Sequence, residues 1–134
     1  MEYRELKKII QSKDKFRKFL IDLLKNTDTR EDCSVGGKGV PLVAYGYDDG
    51  YYWDYTRVEL NGDQTLNVTF DVGSKSGWKP CELTEYEVSI EDFRQYLLNR
   101  KWKDGDIDTL ELLQSCIDDI EGAKIVKEEN EDYD

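Results

Sequence analysis

The 134-residue sequence predicts an α+β domain with an N-terminal helix, an antiparallel meander of three to four strands and two C-terminal helices. Near both ends of the chain, apolar residues recur at three- and four-residue steps, the period of an amphipathic helix. Between them, apolar and polar residues alternate, and clusters of Asn, Gly and Asp separate the alternating runs. Helices and strands are therefore segregated along the chain, as in α+β folds.

The first predicted element is a helix over residues 3–25. Leu6 and Ile9 are followed at helical spacing by Phe16 and Leu20, and Ser12 between the two groups is a favourable N-cap that allows a break near residues 11–13. The opposite face is basic, and we interpret it as solvated or paired with acidic residues of the same chain. Its members are Lys7, Lys8, Lys13, Lys15, Arg17, Lys18 and Lys25.

Residues 27–40 are polar and glycine-containing, which predicts a loop. The run Gly36-Gly37-Lys38-Gly39 lacks the Ser or Thr after lysine that a phosphate-binding loop requires, and no helical pattern follows it. We therefore interpret it as a connection. Residues 42–47 are apolar and predict a short first strand.

The central strands are predicted at residues 51–60, 64–72 and 81–88. Asn61-Gly62-Asp63 joins the first two as a tight hairpin, since Asn and Gly tolerate the positive φ of such turns. Residues 73–80 form the next turn. The alternation predicts one face turned away from the core, which includes an aromatic row. The residues of this outer face are Tyr51, Trp53, Tyr55, Arg57 and Glu59, of which the first three form the aromatic row.

Two helices are predicted to close the chain. Ser89 caps a helix over residues 90–101, and a second helix covers residues 107–121, with Gly122 as its stop. The last residues, 127–134, are acidic, so we expect a flexible tail after a single domain of residues 1–126.

The formal net charge of −11 is unevenly distributed along the chain. Residues 1–26 contain eight basic and four acidic side chains, whereas residues 27–134 carry a net charge of −15. A surface of that sign repels nucleic acid and anionic lipid, which predicts that the protein binds neither directly. It attracts basic protein surfaces, and many of those bind nucleic acid.

Several kinds of chemistry are missing from the sequence. There is no histidine, so the commonest general base and metal ligand is absent, and no catalytic motif stands out. Cys33, Cys81 and Cys116 lack the spacing of a metal or redox motif, and no N-terminal secretory signal or apolar span is seen. We therefore expect a reduced, cytoplasmic protein without cofactor or metal that is not an enzyme.

The run Asp104-Gly105-Asp106-Ile107-Asp108 resembles the opening of a calcium loop, but Thr109 stands where that loop needs glycine. Helix capping accounts for these carboxylates more simply. Acidic and aromatic residues remain as candidates for contact with a basic partner. The candidate partner-binding residues are Asp48, Asp49, Tyr51, Trp53, Asp54, Tyr55, Asp104, Asp106, Asp108, Asp118, Asp119 and Glu121.

The order of one helix, three or four strands and two helices, with acid concentrated after the first helix, resembles the small acidic anti-CRISPR proteins of phages, especially type II inhibitors. The resemblance is one of architecture and covers residues 2–121. It implies an inhibitor that mimics DNA by presenting carboxylates to the basic channel of a Cas nuclease. An immunity protein or antitoxin that neutralises a basic nuclease would have the same composition, and an accessory interaction module is a further alternative.

Overall fold

The computed structural model describes residues 1–26, 29–30, 40–41, 46–48, 51–75, 81–103 and 105–131, with only the backbone at 29–30, 40–41, 46–48, 55 and 131. The helices are α1 (Tyr3–Ile9), α2 (Lys13–Lys25), α3 (Ile90–Asn99) and α4 (Thr109–Cys116), which continues into a 3₁₀ turn (Ile117–Asp119). The strands are β1 (Thr29–Arg30), β2 (Val40–Pro41), β3 (Gly46–Asp48), β4 (Tyr52–Asn61), β5 (Thr65–Ser74), β6 (Cys81–Ser89) and β7 (Lys124–Glu131).

The strands β3 to β7 form one antiparallel sheet in the order of the chain, and β1 and β2 form a separate two-stranded pair. The hairpin between β4 and β5 turns at the predicted position. Asn61 pairs with Thr65, and Gly62 has a φ of 74°, a left-handed conformation that glycine adopts without strain. The α+β class and this hairpin are thus confirmed.

The core lies between one face of the sheet and the helices. Phe16 of α2 and Phe93 of α3 are both fully buried, and their rings meet edge to face with centroids 5.7 Å apart. Alternate residues of the strands supply the other side, Val58 and Val68 among them. Each such side chain contributes roughly 1.5–3 kcal/mol on burial, so this face of the sheet fixes where the helices lie.

The N-terminal helical segment consists of two helices, α1 and α2, because the chain breaks at residues 10–12 as Ser12 allows. The Ser12 hydroxyl accepts a hydrogen bond from the backbone N–H of Lys15 at 3.3 Å. Arg94 of α3 stabilises the break from outside: its Nε donates to the Ile10 carbonyl at 2.8 Å, and its Nη1 donates to Glu91 at 2.7 Å.

Three predictions about the strands and the C-terminal part need correction. The sheet has five strands, not three or four, and the extra strand β7 follows the last helix. Residues 127–131 belong to β7 and pair with β6, so they are not part of a flexible tail. The last helix is shorter than residues 107–121, because the chain must turn after Asp119 to reach the sheet.

Some predicted features fall on residues that the structure does not describe, including the glycine run at 36–39 and most of the strand predicted at 42–47. Within the predicted loop at 27–40, the described residues of β1 pair with β2. None of the described helices is long and apolar enough to cross a lipid bilayer.

Candidate functional site: an acidic groove beside α3

The structure divides the predicted partner-binding residues among separate places. Asp49 and Asp104 lie outside the described residues, as do the side chains of Asp48 and Tyr55. The others lie at the start of β4, in the segment before α4, and in the segment after α4. The last of these groups joins residues of α3 to form a groove.

At the start of β4, Trp53 departs from the prediction of an exposed aromatic row. It lies on the face away from the helices, as expected, but its side chain is only 6% exposed. Its ring packs over Gly73 on the neighbouring strand, and its Nε1 donates to Asp71 at 2.9 Å. Tyr51 is 72% exposed and Asp54 is also exposed. Trp53 is therefore a structural residue, and among the described side chains at this end of the sheet Tyr51 is the exposed aromatic one.

Before α4, Asp106 and Asp108 already have partners within the chain. Asp106 Oδ1 lies 2.7 Å from the Met1 amine, and this hydrogen bond together with the amine's charge lowers the pKa of the Asp106 carboxyl. Asp108 is the N-cap of α4, and its Oδ1 accepts from the backbone N–H groups of Leu110 and Glu111, both at 3.1 Å. Capping thus accounts for Asp108.

After α4, Asp119 and Glu121 face α3 across an open groove with a cavity volume of about 630 Å³. Asp92, in the first turn of α3, supplies a third carboxylate. Two amides and an aromatic ring complete the lining. The groove is lined by Asp92, Gln95, Tyr96, Asn99, Asp119, Glu121 and Gly122. We call this set the acidic groove.

Gly122 is what allows the Asp92 carboxylate to lie on the floor of the groove. Its φ is 92°, in the left-handed region that favours glycine, and a Cβ atom at this position would overlap the Asp92 carboxylate. The sequence pattern predicts Gly122 as the stop of the last helix. In the structure it lies three residues after the 3₁₀ turn and directs the chain into β7.

The three carboxylates of the acidic groove make no ion pair with any lysine or arginine in the described part of the chain. Glu91, next to Asp92, shows the contrast, because it pairs with Arg94 at 2.7 Å and with Lys13 at 3.8 Å. Across the described residues, no three His, Cys, Asp or Glu side chains converge as metal ligands would. The groove therefore presents three carboxylates that no described cationic side chain pairs with.

Tyr96 forms one wall of the acidic groove, and contacts with Arg100 and Cys116 fix the position of its side chain. The Arg100 guanidinium lies 5.9 Å from the Tyr96 ring centroid, and its Nη1 donates to the Tyr96 hydroxyl at 3.3 Å and to Cys116 Sγ at 3.2 Å. Burial raises the pKa of the Cys116 thiol, but its hydrogen bonds with Tyr96, Ser115 and Arg100 outweigh burial, so the net pKa is lowered. Burial, with the bond to Cys116, raises the pKa of Tyr96. These contacts keep the wall in place before anything binds.

Asp118 points away from the groove, toward the sheet. Its Oδ1 accepts a hydrogen bond from the Tyr86 hydroxyl at 2.8 Å. Burial, this hydrogen bond and the negative charges of Asp118 and Glu128 raise the pKa of Tyr86 to about 12. Acidic side chains thus continue from the groove, through Asp118, to the outer strand β7.

Sequence reasoning missed Asp92 and Tyr96. From the sequence alone, Asp92 is accounted for as a first-turn charge that complements the helix dipole, and Tyr96 as part of the apolar stripe of its helix. Neither assignment is wrong, because Asp92 does lie in the first turn and Tyr96 is half-buried. Only the packing of the segment after α4 against α3 reveals their second role, and no local signal marks that contact.

Searches of protein-family models, of curated proteins and of solved structures found no match to this chain.

Proposed function

We propose that this protein binds a basic protein surface through the acidic groove, and that it inhibits its partner by covering a surface that would otherwise contact nucleic acid. The observation that supports the proposal is the trio Asp92, Asp119 and Glu121, which line one open groove without an ion pair in the described part of the chain. Basic side chains are available in this protein, yet none of the described ones neutralises the groove.

The lining matches the chemistry of arginine. A guanidinium group carries five N–H donors in a plane, and carboxylates receive two of them at once. Asp92, Asp119 and Glu121 supply acceptor oxygens, and the amides of Gln95 and Asn99 add further ones. The cavity volume of about 630 Å³ leaves room for a long basic side chain and for water around it.

The charge of the whole chain favours the same class of partner. A net charge of −11 speeds encounters with positive surfaces and repels phosphates, so we expect no direct binding to nucleic acid. Proteins that bind nucleic acid expose arginine and lysine in rows, which suits an anionic inhibitor. In this proposal the protein acts in the cytoplasm, without a cofactor and without catalysing a reaction, as a Cas nuclease inhibitor of the anti-CRISPR kind would.

The test is a binding titration with an oligoarginine peptide, followed by NMR shift mapping. We expect the peptide to shift the amide signals of the groove, Asp119 and Glu121 included. An oligocitrulline peptide has the same shape without charge, and we expect it not to bind. Asp119→Asn with Glu121→Gln should weaken oligoarginine binding roughly tenfold, because exposed ion pairs contribute up to about 1 kcal/mol each and tenfold is about 1.4 kcal/mol.

The matched control is Glu5→Gln with Asp22→Asn, which removes the same charge from exposed side chains of α1 and α2. If the peptide binds at the groove carboxylates, this control variant should keep most of the affinity for oligoarginine. Equal weakening by the two double variants would mean that overall charge alone attracts the peptide, and the groove would lose its role.

A further inference from the structure

The outer strand β7 is the last strand of the sheet. Its one neighbour among the described strands is β6, and the pairing runs from Cys81 with Glu131 to Glu87 with Lys124. Every described side chain of β7 is exposed. Ile125 and Val126 are 52% and 46% exposed, which places two of the large exposed apolar residues on this strand.

The backbone of β7 offers hydrogen-bonding groups to a further strand. In an antiparallel ladder, residues alternate between those that bond to the inner neighbour and those whose N–H and C=O groups point outward. The register of β6 and β7 shifts between Glu85 and Tyr86, opposite Val126. Beyond that bulge, residues 127–131 follow a regular register, so an extended segment can pair with them without first reordering the edge.

The charges at this edge are predominantly negative. Its two lysines are engaged within the sheet: Lys124 lies 3.6 Å from Glu87, and Lys127 lies 3.3 Å from Glu129. The remaining glutamates of these two strands whose side chains the structure describes make no ion pair with a described residue. These are Glu82, Glu85 and Glu128. The Tyr86 hydroxyl donates to Asp118, and the negative charge of Glu128 on β7 contributes with that of Asp118 to the raised pKa of Tyr86.

From the charge of this edge, and because no described strand pairs with its outer side, we infer that β7 receives an extended basic segment of the partner as a sixth strand of the sheet. Main-chain hydrogen bonds hold the segment, and glutamates on both faces of the sheet select arginine or lysine at alternate positions. A second copy of this chain fits less well, because it would bring two glutamate-rich edges together. The inference rests on the proposed function in one respect, that the partner is basic.

The probe is a short capped peptide of alternating arginine and threonine, compared with an analogue N-methylated at alternate residues. N-methylation removes main-chain donors and leaves the charge unchanged. We expect the unmodified peptide to bind, to slow amide hydrogen exchange within residues 127–131, and to lose roughly tenfold in affinity on N-methylation, because several main-chain hydrogen bonds are lost. Glu128→Lys should weaken binding severalfold, whereas Glu59→Lys, the same change at an exposed position of the inner strand β4, should not.

Other results overturn the inference. Equal binding of the two peptides would exclude strand addition. Exchange protection at β3 in place of β7 would assign the added strand to the opposite edge of the sheet and refute the inference about β7. Protection of β7 in the peptide-free protein, with a dimer in sedimentation, would assign the edge to a second copy. Binding that shifts only the acidic groove would refute the β7 inference and leave the proposed function intact. Failure of every basic peptide to bind anywhere would refute both.

Discussion

Replacing Gly122 by alanine tests the geometry of the acidic groove, because an alanine there destabilises the folded state in two separate ways. The first is backbone strain: an alanine at a φ of 92° is destabilised by about 1–2 kcal/mol. The second is steric, since the new methyl group overlaps the Asp92 carboxylate, which must rotate away. A forced rotation of this kind costs about 1 kcal/mol. We therefore expect Gly122→Ala to lower the free energy of unfolding by about 2–3 kcal/mol.

Gly62→Ala is the matched control for Gly122→Ala. Gly62 has a φ of 74° and nothing within 4 Å of its would-be Cβ, so it carries the backbone cost alone. In urea unfolding, the free energy of unfolding of Gly122→Ala should therefore be about 1 kcal/mol lower than that of Gly62→Ala. In the oligoarginine titration, Gly122→Ala should bind more weakly than wild type and Gly62→Ala should bind equally well. Equal stabilities and equal affinities of the two variants would contradict the placement of Asp92 in the groove.

Three further predictions concern the stability of the fold. Arg94→Ala should lower the free energy of unfolding by about 2–4 kcal/mol, because its 11% exposed side chain bonds to Ile10 and Glu91. Burial raises the pKa of Glu91, but Gln95, Arg94 and Lys13 outweigh it and lower the net pKa. The stability from Glu91 is therefore present above its ordinary pKa and lost as pH falls through the lowered value, and urea unfolding across acidic pH should show a flatter loss for Arg94→Ala. Burial and the Asp118 bond raise the pKa of Tyr86 from 10 to about 12. The stability that neutral Tyr86 gives the fold should therefore be complete below pH 10 and lost as pH rises toward 12. Tyr86→Phe should remove this alkaline loss and a late step in the ultraviolet tyrosine titration. In urea unfolding, Trp53→Ala should lower the free energy of unfolding by about 3–5 kcal/mol, because its ring is buried. Tyr51→Ala should lower it by less than about 1 kcal/mol, because its ring is exposed.

The elements that the sequence predicts well are those with local signals. Ser12 and Ser89 both accept the capping hydrogen bonds expected of them, and the apolar periods of α2 and α3 face the core. The turn at Gly62 follows from the conformational preference of two adjacent residues. None of these features depends on a distant contact, which is why pattern and propensity suffice.

The elements that the sequence predicts poorly depend on distant contacts. β7 is rich in lysine and glutamate, has no clean alternation, and is ordered by pairing with β6. Ile117 and Ile120 keep helical spacing with Leu113, yet Ile120 is already extended because the chain turns toward the sheet. The face of Trp53 follows from alternation, but its burial depends on Gly73, which leaves room for the indole on the paired strand. Asp119 and Glu121 were predicted from charge, whereas Asp92 joins them only by tertiary packing.

In the proposed function, the protein occupies a surface of its partner that otherwise binds nucleic acid. The most direct measurement is competition: the partner is captured on the immobilised protein from a lysate of the organism that makes it, and duplex DNA or RNA is then titrated against the complex. We predict that nucleic acid releases the partner in proportion to its concentration, and that the Asp119→Asn, Glu121→Gln variant captures less partner at the same salt. A partner that stays bound while it takes up nucleic acid, forming a ternary complex, would contradict the account.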